Sequence, residues 1–81
     1  MSDGWLDRLA RAQGVEGLSD AEIESLLSAA RDVAHRVERK VTPLAAFLLG
    51  MAVERRMAAD TSRAEAFEVV IAELEVLLPE S

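Results

Sequence analysis

The chain has 81 residues, a formal net charge of −6, and 51% hydrophobic against 30% charged residues. This is the balance of one folded domain, too short for a second hydrophobic core and too apolar for a disordered tail. With no Cys, one His and no Tyr, disulfides, thiolate chemistry, Cys-ligated metal sites and most His-based triads are excluded, and the acidic balance argues against nucleic acid or an anionic membrane as partner.

The punctuation along the chain is helical. Trp5, Leu6, Leu9 and Ala12 or Ala10 give residues 3–13 a helical spacing, and Gly14 follows where a helix ends in a left-handed residue. Residues 14–18 form a connector in which Val15 and Leu18 are expected to turn inward. Ser19 with Glu22 three residues on has the spacing of a capping box, and Leu18 with Ile23 that of a hydrophobic staple. Ile23, Leu26, Leu27, Ala30, Val33, Ala34, Val37 and Val41 then fall within about 60° either side of one direction on a helical wheel, predicting a helix over 20–40.

Thr42-Pro43 restarts the chain, with Thr as an N-cap and Pro in the first helical turn. The third helix is predicted over 43–58. Its first ten residues after Pro43 are apolar all round, so it is either buried or buries itself against a partner. Gly50 within it costs about 1 kcal/mol against Ala unless close packing recovers it, and another helix is expected to cross there. Ser62 and Glu65 repeat the capping spacing, and Ala64, Phe67, Val70, Ile71, Leu74, Leu77 and Leu78 mark a fourth helix that Pro79 ends. Val69 and Val76 lie on its far side. No segment alternates with period two, so strands are not expected. The predicted fold is all-α: one domain over 1–81, a small bundle of one short and three longer helices, with helix three central. The longest apolar run, residues 44–53, is half of the roughly 20 residues a membrane span needs. Residues 1–14 lack a signal-peptide core, and the expected compartment is the cytoplasm.

Few residues carry chemistry. His35 is flanked at three residues by Asp32 and Glu38, but no nucleophile stands at a defined spacing. A di-iron helix needs Glu-x-x-His twice, so a single reversed His35-x-x-Glu38 supports no metal site. Arg31, Arg36, Arg39 and Lys40 form one basic cluster; an anion docked there is weighed against cations that simply stabilise a helix C-terminus, and the latter is preferred. The acids around helix four, with Arg63 alone among them, are expected to be a solvated face or to pair with the basic end of helix two, in preference to meeting a basic partner. Trp5 is expected to anchor the first helix on the core, and Met51 and Met57 to fill gaps in the core or at its edge. The string Glu24-Ser25-Leu26 is misplaced for the Asp-Ser-Leu prosthetic-group site of acyl carrier proteins.

The run Ala30-Arg31-Asp32-Val33-Ala34-His35-Arg36-Val37-Glu38-Arg39, then Pro43-Leu44, Phe47-Leu48 and Gly50, resembles the core pattern of a small uncharacterised actinobacterial domain family. Trp5-Leu6 and Leu18-Ser19 fit it as well, and helix four matches in character. Members of that family occur alone or fused to molybdenum-cofactor guanylyltransferase. The resemblance implies association and not catalysis: an accessory module with no cofactor of its own, whose candidate contact face is Asp32, His35, Glu38 and Arg39. The alternative is a self-associating bundle, a homodimer, suggested by the apolar girth of helix three and by Val69 and Val76.

Overall fold

A computed structural model describes residues 3–80. It contains α1 (Asp3–Gln13), α2 (Asp20–Arg36), α3 (Thr42–Ala58) and α4 (Arg63–Leu77), with a 3-10 turn at Arg39–Val41 before α3. The all-α bundle with four helices is as the sequence predicts, and no strand occurs among the described residues.

Local chemistry accounts for most helix ends. At the end of α1, Gly14 takes φ +70°. Its N–H donates to the Arg11 carbonyl, and the Val15 N–H donates to the Ala10 carbonyl. This is the Schellman pattern, and it requires a left-handed residue. The end of α3 repeats it with Asp60 at φ 76°: the Asp60 N–H donates to Met57 and the Thr61 N–H to Arg56. A non-glycine residue is strained there, and its negative charge sits at the negative end of the helix dipole. Asp60→Gly is therefore expected to stabilise the domain by about 0.5–1 kcal/mol, and Gly14→Ala to destabilise it by about 1 kcal/mol. Urea unfolding of the two variants checks this; the same sign for both would refute it.

The box at α2 is complete. The Glu22 N–H donates to Ser19 Oγ and the Ser19 N–H donates to Glu22 Oε1 at 2.9 Å. At α4 the Glu65 N–H donates to Ser62 Oγ, whose hydroxyl in turn donates to Glu65 Oε1. Two expectations require correction. α2 ends at Arg36 and not near residue 40. The Val37 and Glu38 N–H groups share the Val33 carbonyl, and Glu38 is extended. Pro43 has no N–H to give to the Arg39 carbonyl, so a continuous helix could not run through this corner. Val41 consequently sits in the 3-10 turn and not on the apolar stripe of α2. Thr42 is also not a cap: it lies inside α3, the N-cap position is Val41 without a side-chain bond, and Thr42 Oγ1 is buried without a partner.

Helix α3 is central, packing extensively on α4 and also on α2, while α2 and α4 touch only briefly. The molecule measures 36 × 31 × 19 Å. Its thin dimension is about two helix diameters, which leaves no room for a third covering layer. Among the described residues the buried side chains are accordingly few and small: Ala29 and Val33 of α2, and Ala66 and Val70 of α4. α3, the most apolar stretch, contributes none. α1 packs against no other helix, and Trp5 is 54% exposed. Trp5 thus does not anchor α1 on the core, and Val15 and Leu18 are likewise exposed instead of turned inward.

Candidate functional site

Among the described residues, a groove of about 1270 Å³ runs between α2, α3 and α4, closed at one end by the α1–α2 connector. Val15, Leu18, Leu26, Val33, Leu49 and Phe67 are among its apolar walls. Small-molecule sites occupy about 300–1,000 Å³ and converge a few polar groups on the ligand. This groove is larger, open to solvent and mainly apolar, with the charged residues Glu16, Glu54, Arg55 and Arg63 also in its lining, a form that suits another polypeptide better than a metabolite. Phe47 and Met51 belong to its rim and carry the apolar surface onward to the outer face of α3, where Leu44 and Leu48 are also exposed. Met51 is therefore not a core residue, whereas Met57 lies half-buried in the groove. A Cβ built on Gly50 meets nothing within 4 Å, so no helix of this chain crosses there, contrary to expectation.

One cation in the groove lining bridges three of the segments around it. Arg63, at the start of α4, donates from Nε to Glu22 Oε2 at 2.8 Å and from Nη2 to Glu22 Oε1 at 2.9 Å. Nη2 also donates to the Gly17 carbonyl at 2.8 Å, and Nη1 lies 3.4 Å from Glu16 Oε1. The guanidinium thereby ties the connector and the first turn of α2 to the first turn of α4. Such bidentate, charge-assisted contacts are the strong ones, and both side chains are largely shielded from water. Burial pushes the Glu22 carboxyl up, but the Ser19 N–H, Arg63 and the Ser19 hydroxyl together outweigh it and hold the group below its ordinary 4.5.

The acids of α4 do not pair with the basic end of α2. Glu73 meets Arg56 of α3 at 3.0 Å, and the one cation of α4 reaches the acidic start of α2. The reason is geometric: α4 lies mainly along α3, and Arg63 stands beside the N-terminal, not the C-terminal, turn of α2.

The four candidate contact residues fall on different elements. Asp32 and His35 are on α2, Glu38 is in the extended link, and Arg39 opens the 3-10 turn. His35, Glu38 and Arg39 are exposed and Asp32 is half-buried. Asp32 lines a cleft of about 250 Å³ between α2 and the end of α4, with Ser28, Leu74 and Glu75. Among the described residues, the one ion pair made by this group is Glu38 to Lys40 at 3.6 Å. Arg31, Arg36, Arg39 and Lys40 are all exposed. No three His, Asp or Glu side chains among the described residues gather at metal-binding distance, and no helix is long and apolar enough to cross a membrane. Sequence reasoning does not foresee the groove or the Arg63 clasp. A signal for the clasp exists, since Arg63 is the lone cation in an acidic segment; the groove has none, because it arises from how three helices splay.

The chain belongs to the DUF6457 family, a domain of unknown function whose family model matches residues 1–81. No curated protein and no solved structure matches the chain.

Proposed function

We propose that this DUF6457 domain is a non-catalytic interaction module, and that its partner is a molybdenum-cofactor guanylyltransferase. The observation that carries the first part is the open apolar groove, which is too large and too poor in converging polar groups for a small substrate but suits a protein surface. The partner comes from the resemblance carried by the run 30–39 and its continuation to Gly50. In this reading the corner after α2 presents Asp32, His35, Glu38 and Arg39 as polar contacts beside the groove, since Val33 and Thr42 of the same corner line it. A cytoplasmic setting goes with it.

The test is calorimetric titration of the purified domain into an actinobacterial molybdenum-cofactor guanylyltransferase. Binding is expected, with His35→Ala plus Arg39→Ala weakening it at least about tenfold while the melting temperature stays unchanged. Absence of binding removes this partner. A double variant that loses stability and still binds removes these residues from the contact.

A further inference from the structure

We infer that the outer face of α3 is covered by a second copy of this chain, in an antiparallel, two-fold pairing of α3 with α3. The proposal goes beyond the partner reading and does not depend on it. Three observations on α3 converge. It is apolar all round over 44–53, yet none of its residues is buried. Leu44, Phe47, Leu48 and Met51 recur at the i, i+3, i+4, i+7 spacing of a helix-packing stripe, and Phe47 is 70% exposed. Gly50, beside that stripe, weakens the helix without any close approach inside the chain to recover the cost.

The area allows a cover of dimer size. The chain exposes 6220 Å², whereas a closed monomer of 8.8 kDa exposes about 4,800 Å². The excess of about 1,400 Å² also includes the detached α1 and the walls of the groove, so two copies pairing through α3 hide less than about 2,800 Å², a bound that leaves room for the roughly 1,200–2,000 Å² of a specific interface. The stripe is self-complementary. A two-fold axis between Phe47 and Leu48 sets Met51 of each copy against Leu44 of the other, as an isologous contact requires. Electrostatics permits it, because residues 41–53 carry no charge and the acids that make the chain negative sit elsewhere, chiefly on and beside α4.

Sedimentation velocity of the purified domain from about 1 to 500 μM tests this. The expected species has twice the 8.8 kDa chain mass. Phe47→Glu plus Met51→Glu is expected to raise the dimer Kd at least about 100-fold with the helical circular dichroism retained, since both side chains are exposed. The chain has no native cysteine, so Leu48→Cys near the axis should form an intermolecular disulfide under mild oxidation, and Val76→Cys on the far side of α4 should not. A monomer at every concentration overturns the proposal and leaves the face to another protein or to α1. A double variant that stays dimeric, or cross-linking through Val76→Cys but not through Leu48→Cys, overturns it as well.

Discussion

Replacing Arg63 with Ala is expected to lower the unfolding free energy by about 2–3 kcal/mol, since it removes a bidentate charged pair and the bond to the Gly17 carbonyl together. Domains of this size have a total stability near 5 kcal/mol, so the variant should melt on the order of 10–20 °C lower. Arg63→Lys keeps the charge but not the fork, and should recover less than half. The same clasp carries a pH dependence of definite sign. Glu22 is held below 4.5 in the folded chain, so between that lowered value and 4.5 the unfolded state binds more protons. Its contribution is complete above about pH 4.5 and is lost as the pH falls through the folded value. Glu22→Gln should therefore be less stable than the parent at neutral pH, with the gap closing in acid. A gap that is constant from pH 7 to pH 3 would show that the pairing does not discriminate between the two protonation states.

Ala66→Leu should be comparably damaging, at about 3 kcal/mol. Ala66 has no exposed surface, and it lies on α4, the helix that packs most extensively on α3. Overfilling a site this tight forces side chains off their rotamers or moves the helix, at a cost of about 1–3 kcal/mol and occasionally more. The same change two residues earlier, at the exposed Ala64, is the control: Ala64→Leu should leave the unfolding free energy in urea within about 0.5 kcal/mol of the parent. Equal stabilities for both variants would mean that Ala66 does not sit in tight packing.

The helices are legible because their signals are local. Capping spacings, Gly14, Pro43 and a 3.6 period each act within a few residues, and they place α1, α3 and α4 closely. The end of α2 is not legible. The apolar stripe runs on through Val37 to Val41 without a break, so periodicity does not mark the last turn at Arg36. Depth of burial is misread for a related reason. Periodicity tells which face is apolar but not whether anything covers it, so it points Trp5, Val15 and Leu18 inward, to positions that this chain alone does not supply. The candidate contact residues read as one side of a single helix; the corner distributes them over a helix, a link and a 3-10 turn.

The detachment of α1 has a consequence for how this protein is observed. An isolated helix of 11 residues is marginal in water, so α1 should fray and reform on a timescale far faster than the bundle unfolds. The chain's single tryptophan sits on that helix. Its fluorescence will therefore follow a local helix–coil equilibrium, broad in denaturant, while far-ultraviolet dichroism follows the cooperative loss of α2, α3 and α4. Two transitions that fail to coincide would, in this molecule, report a reporter group in the wrong place and not a folding intermediate.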